Sequence, residues 1–134
     1  MGREISVACV LVVEDEEQVR VLAEAIIQDL GHQTLTAGDL AEAVALLDEA
    51  GNVDLLFTDL GLVEERHGGI SVAEYARTKR PEIAVVYTTG AGVNDGTRAL
   101  VVDRHWFLAK PYRPSDLEII LGNALADRQA PTTN

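Results

Sequence analysis

Five short runs of apolar, β-prone residues punctuate the chain, and a stretch with helical periodicity follows each. Residues 7–13 (VACVLVV) are continuously apolar, as expected of a strand covered on both faces. Val19, Leu22, Ala23, Ile26 and Leu30 then recur at helical spacing, and Gly31 supplies a stop. Residues 33–37 (QTLTA) read as a second, weaker strand. Asp39, with Glu42 three residues on, forms a capping box ahead of a Leu40, Val44, Leu47 stripe that Gly51 ends. The third strand is 53–58 (VDLLFT), and a loop follows over about 60–69. Ser71 with Glu74 repeats the capping pattern, and Val72, Tyr75 and Ala76 face inward until Pro81 stops the helix. Residues 83–88 (IAVVYT) are the fourth strand. Gly90, Gly92 and Gly96 surround the start of the next helix, whose helical character is confined to 99–102. Residues 105–109 (HWFLA) form the fifth strand, broken by Lys110-Pro111. Ser115 with Glu118 makes a third capping box, and Leu117, Ile120, Leu121 and Ala124 stripe the last helix. Residues 128–134 are a polar tail.

Strands alternating with helices at this spacing predict an α/β fold with right-handed crossovers. The expected architecture is a doubly wound, five-stranded parallel sheet of order 2-1-3-4-5, flavodoxin-like, with helices on both faces. A length of 134 residues suits one domain, with its core over about 6–127.

Charge narrows the function. At a net charge of −11 the surface repels phosphate backbones, which argues against nucleic acid as a partner. No apolar run approaches the roughly 20 residues of a membrane helix. The acidic run Glu14 to Glu17 follows the first strand where a signal peptide would carry small residues, so a cytoplasmic location is expected. Cys9 is the single cysteine and excludes an internal disulfide or a thiolate metal site; it is expected to be a small buried hydrophobe. His32, His67 and His105 show no ligand spacing.

In open α/β sheets, ligands bind beyond the carboxyl ends of the strands, at the point where strand order reverses. Strand one ends in Glu14 and Asp15, strand three in Thr58 and Asp59, strand four in Thr88 and Thr89, and strand five before Lys110. Three carboxylates, a hydroxyl and an ammonium therefore converge on one rim. Close carboxylates raise one another's pKa unless a cation offsets them, and oxygen donors suit Mg²⁺. A carboxylate can act as nucleophile toward phosphorus, and Lys110 and Thr89 can then meet the phosphoryl oxygens. Each residue also has an ordinary explanation. Acidic residues favour helix starts, Asp59 could close a turn, threonines suit strands, Lys110 could be a solvated loop residue, and Phe107 could be core. Their joint placement at the carboxyl ends of strands outweighs those explanations.

The segments VLVVEDE, LLFTDLGL, VVYTTGA and FLAKPY, in this order and at these spacings, resemble the response-regulator receiver domains. The likeness covers about residues 6–127. It implies that Asp59 is the phosphoacceptor. It also implies that Asp15, Asp59 and the Gly61 carbonyl bind Mg²⁺ directly, with Glu14 acting through water. Thr89 would move toward the phosphoryl group, Lys110 would pair with its oxygens, and Phe107 would swing inward as Thr89 moves. The bond before Pro111 is often cis in this family. Such proteins catalyse only their own phosphorylation and dephosphorylation. The implied partners are a histidine kinase or histidine phosphotransfer protein, and a downstream protein bound through the face of the fourth helix, fifth strand and fifth helix. A monomer or phosphorylation-dependent dimer is expected. A stand-alone receiver, with no output domain after the last helix, is expected, with a phosphorylation-independent docking module as the alternative.

The chain departs from the family after Asp59. The usual proline is absent, Val63 stands instead, Gly68 and Gly69 come late, and Glu64, Glu65, Arg66 and His67 charge the loop. Two rivals are weaker. A haloacid-dehalogenase-like phosphatase would carry a second aspartate where Gly61 stands, and an FMN binder would not place four acidic residues where a phosphate must sit.

Overall fold

A computed structural model describes residues 7–61, 68–90, 98 and 100–129. Its elements are β1 (Cys9–Val13), α1 (Glu17–Asp29), β2 (Gln33–Ala37), α2 (Leu40–Glu49), β3 (Leu55–Asp59), α3 (Gly68–Lys79), β4 (Ala84–Thr89), β5 (His105–Ala109) and α4 (Pro114–Gln129). The helix expected between β4 and β5, and the loop residues Val63 to His67, fall largely outside the described residues. All strand pairings are parallel, and the sheet order is β2-β1-β3-β4-β5, as the alternation predicts.

Side chains alternate across the sheet with period two, and each face meets its own helices. Leu11, Val13, Leu56, Val85 and Tyr87 pack with Ala43 and Leu47 of α2 and with Val72, Ala73 and Ala76 of α3. Val10, Val12, Leu55, Phe57 and Val86 pack with Ala23 and Ile27 of α1 and with Leu117, Leu121 and Ala124 of α4. Burying each such Leu or Val contributes about 1.5–3 kcal/mol relative to exposure. Among the described residues, no helix is long and apolar enough to cross a membrane.

Several local expectations are corrected. Val7 is exposed and Cys9 is only half-buried, so the first apolar run becomes a covered strand from Val10 onward. On α1, Leu22 is 59% exposed while Ile27 is fully buried, which rotates the inward stripe from the one expected. Gly31 does end α1, in the left-handed region at φ 98°. Gly51 has no such role. α2 stops at an extended Ala50, and Arg80 caps it by donating to the carbonyls of Leu47 (2.8 Å) and Ala50 (2.7 Å). Asp39 caps α2 as expected, accepting from the Glu42 N–H at 2.8 Å, while the Glu42 carboxylate accepts from the Gly38 N–H. Ser71 lies inside α3, which starts at Gly68 and shortens the expected loop. At α4 the helix begins two residues early on Pro114, a favoured first-turn position, so Asp116 rather than Glu118 reaches back, accepting from the Arg113 N–H at 2.9 Å.

Candidate functional site: an acidic pocket at the carboxyl ends of the strands

β1 and β3 are neighbours, so their ends bring Glu14, Asp15 and Asp59 together. Each offers a carboxylate oxygen, and these oxygens all lie within 4.8 Å of one another. Glu14 is 4% exposed and Asp59 9%, an unusual degree of burial for carboxylates. Lys110, from the end of β5, reaches into this group. Its ammonium donates to Glu14 Oε1 at 2.8 Å and to Asp59 Oδ2 at 3.3 Å.

Backbone geometry fixes the arrangement. The Glu14 N–H donates to the Ala37 carbonyl at 3.1 Å, extending the β1–β2 ladder by one residue. Glu14 Oε2 accepts from the Glu16 N–H at 3.2 Å. The Gly61 N–H donates to Asp59 Oδ1 at 3.2 Å, which holds the Asp59 carboxylate over the turn after β3. The Leu60 N–H donates to the Thr88 carbonyl, and the Lys110 N–H to the Thr89 carbonyl, each at 2.8 Å. The Lys110–Pro111 bond is cis.

Electrostatics follow from burial and pairing. Burial pushes the Glu14 carboxyl upward and the neighbouring Asp59 charge adds to this, while Lys110 and the Glu16 N–H pull it down; the balance is raised. Burial favours the neutral amine of Lys110, yet its bonds and charge interactions with Glu14 and Asp59 prevail, and its pKa rises. Lys110 is thus a firmly held cation serving two anions. Among the described residues the pocket gathers three carboxylates and the Lys110 ammonium. A hard, oxygen-only donor set of this kind fits a divalent cation such as Mg²⁺.

The two threonines at the end of β4 occupy different settings. Thr88 pairs in register with Asp59 and is 2% exposed, with its side chain on the α1/α4 face. Thr89 is half-buried, alternates onto the face of Tyr87, and has β5 as its neighbour through Ala109. Phe107 lies on that same face. Its ring stacks on Tyr87 with centroids 5.6 Å apart, meets His105 edge-on at 4.9 Å, and carries the Arg98 guanidinium 5.7 Å above it.

Gly69 is a feature that the sequence pattern undervalued. A Cβ there would lie 2.1 Å from the Asp59 carbonyl oxygen and 2.8 Å from Leu60 Cα. The first turn of α3 therefore packs directly on the backbone of Asp59, and only glycine permits that approach. The cue was visible as a glycine pair soon after Asp59, but its purpose depends on where α3 starts. An apolar groove lined by Gln18, Val19, Leu22, Pro111 and Tyr112 opens beside Lys110.

Comparison with known proteins agrees with this geometry. The response regulator receiver domain family matches residues 10–121. The nitrogen assimilation regulatory protein NtrX of Azorhizobium caulinodans is 29% identical, with the match covering 87% of this chain and 26% of that protein. The phyllosphere-induced regulator PhyR of Methylorubrum extorquens is 26% identical over 96% of this chain and 49% of its own length. The chain thus spans between a quarter and a half of these two relatives. Among solved structures, NtrX from Brucella abortus superposes with a TM-score of 0.82 at 29% identity, covering 92% of this chain and 28% of that one. A response regulator receiver protein from Sinorhizobium medicae also gives 0.82, at 23% identity, over 92% and 98%, a likeness of fold. The chain belongs to the response regulator receiver domain family.

Proposed function

We propose that the chain accepts a phosphoryl group on Asp59 from a phosphohistidine of a histidine kinase or histidine phosphotransfer protein. The observation that carries this reading is the Lys110 ammonium shared between Glu14 and Asp59 in a pocket of three carboxylates. In the reaction an Asp59 carboxylate oxygen bonds to phosphorus, the P–N bond breaks, and the imidazole leaves with its electron pair and takes up a proton. The Gly61 N–H orients the attacking carboxylate. Lys110 shifts part of its charge onto the incoming phosphoryl oxygens, and the Thr89 hydroxyl donates to another. Asp15, Asp59 and the Gly61 carbonyl would hold Mg²⁺, with Glu14 acting through water. When bound, the ion supplies charge that offsets the crowded oxygens.

The signal leaves through Phe107. Thr89 and Phe107 lie on one face of adjacent strands, so a shift of the threonine reaches the aromatic stack on Tyr87. Output follows by protein contact around β5, α4 and the segment before β5, in the cytoplasm, with a monomer or phosphorylation-dependent dimer as the working state.

The test is intact mass after incubation with acetyl phosphate and Mg²⁺. The parent should gain about 80 Da, removable by hydroxylamine, and Asp59→Asn should gain nothing. No gain in a folded parent would instead support a docking module that works without phosphorylation.

A further inference from the structure

Arg20, in the first half of α1, turns back over the acidic loop. Its Nη1 donates to the Glu14 carbonyl at 2.8 Å. Its own N–H donates to the Glu16 carbonyl at 2.9 Å. Gly38 leaves space for the guanidinium, since a Cβ there would lie 3.2 Å from Arg20 Nη1 and 3.5 Å from Glu42 Oε1. The Glu14 backbone is therefore held at both of its polar groups, its N–H by β2 and its carbonyl by Arg20. This is the point where the chain leaves β1 and enters four consecutive carboxylates, Glu14 to Glu17. Their mutual repulsion favours splaying of the loop.

We propose that Arg20 is a positioning residue for the divalent-cation site, holding the Glu14–Asp15 turn so that both carboxylates converge on Asp59. It acts through the Glu14 carbonyl, which leaves the Glu14 carboxylate to Lys110 and the Glu16 N–H. Partners that orient metal ligands without touching the metal typically alter affinity by about 10- to 100-fold when removed. The inference rests on the cation-site reading above, and its test separates the two.

The experiment compares the full chain with Arg20→Ala, Arg20→Gln and Arg20→Lys. Mg²⁺ affinity is measured by calorimetry, and amide hydrogen exchange is measured in EDTA. Arg20→Ala should bind Mg²⁺ about tenfold more weakly, and Arg20→Lys, which keeps a charged donor, should recover most of that loss. Without metal, the Glu16 N–H, which donates to Glu14 Oε2, should exchange about tenfold faster in Arg20→Ala while β3 and β4 amides keep their protection. Parental Mg²⁺ affinity in Arg20→Ala, or unchanged Glu16 exchange, would overturn the proposal. A parent that binds no Mg²⁺ would overturn the cation-site reading instead, and the exchange result alone would then decide whether Arg20 sets the loop. Arg20→Gln covers the case in which the alanine variant unfolds, with the same expectation at Glu16.

Discussion

Charged side chains gather at both ends of the sheet, and the two ends use them in opposite ways. At the amino ends their partners are mostly backbone. Arg77 donates to the carbonyls of Ile83, Asp103 and Arg104, Arg80 to those of Leu47 and Ala50, and Arg104 to that of Pro81. Asp54 accepts from the Cys9 N–H and the Asn52 amide. At the carboxyl ends Glu14 and Asp59 each accept from one backbone N–H, but both also pair with the Lys110 ammonium, and Asp15 lies beside them. Backbone dipoles satisfy a charge without competing for it, so the amino end is a set of closed fastenings. Glu14 and Asp59 share the Lys110 ammonium within 4.8 Å of Asp15, so among the described residues the carboxyl end crowds like charges together. Mutations at the first end should therefore cost stability and spare chemistry, and those at the second should do the reverse.

The largest expected effect breaks this division. Gly69 is structural in type but sits on the backbone of Asp59. Gly69→Ala must displace either α3 or the end of β3, an overpacking cost of about 3 kcal/mol or more. Urea unfolding should show that loss, and phosphoryl uptake should fall with it in the folded fraction. Parental stability with parental uptake would mean that α3 shifts freely and that the close approach is incidental.

Arg77→Ala tests the amino end. The substitution strips charged donors from three carbonyls, including that of Arg104, whose φ of 54° is unusual outside glycine. A loss of about 2 kcal/mol is expected, with the rate of mass gain from acetyl phosphate unchanged below the new melting point. A slower gain at parental stability would show that the two ends are coupled.

Asp59→Asn tests the carboxyl end from the other side. It leaves Lys110 paired with Glu14 and removes one of three competing anions. In EDTA the variant should be more stable than the parent by about 1 kcal/mol, as when a functional site holds unfavourable charge. Added Mg²⁺ should shrink that gap, because it stabilises the parent by mass action. A less stable Asp59→Asn variant in EDTA would mean that the Asp59–Lys110 pair outweighs the repulsion.

The same contrast explains what was legible in the sequence. Strand identity and order were, because runs such as LLFT and AVVY have no helical reading at that length and the alternation admits few topologies. The gathering of Glu14, Asp15, Asp59 and Lys110 was legible because each stands at the carboxyl end of a strand. The fastenings were not. Arg80 capping α2 links residues about thirty apart in sequence, and nothing in the neighbourhood of either reveals the other. Asp39 caps α2 as its pattern predicts, but two other helix starts failed for a related reason. Ser71 and Ser115 fit the capping pattern, but α3 begins at the Gly69 contact and α4 at Pro114. The face of α1 was misjudged at Leu22 because its stripe is narrow, with Ala23 and Ile27 fully covered.

The smallest expected effect sharpens the comparison by making the amino end pH-sensitive. His32 Nδ1 accepts from the Ala8 N–H at 3.1 Å, which requires that nitrogen to be unprotonated. Burial holds its pKa below the ordinary 6.5, and the nearby Asp54 charge offsets this only in part. With a folded pKa below the unfolded one, the unfolded chain takes up the proton first. His32 therefore leaves stability unchanged above 6.5 and reduces it as the pH falls below 6.5 toward the folded value. His32→Asn retains a side-chain acceptor and removes the titration. Urea unfolding in EDTA should give the two proteins similar stabilities near about pH 7.5, with the parent losing ground by about pH 5.5. Because the acidic pocket is common to both proteins, its own titration cancels in the difference. Parallel pH profiles would show that the Ala8 bond survives protonation of the ring, and that the amino end carries no acid-sensitive fastening at His32.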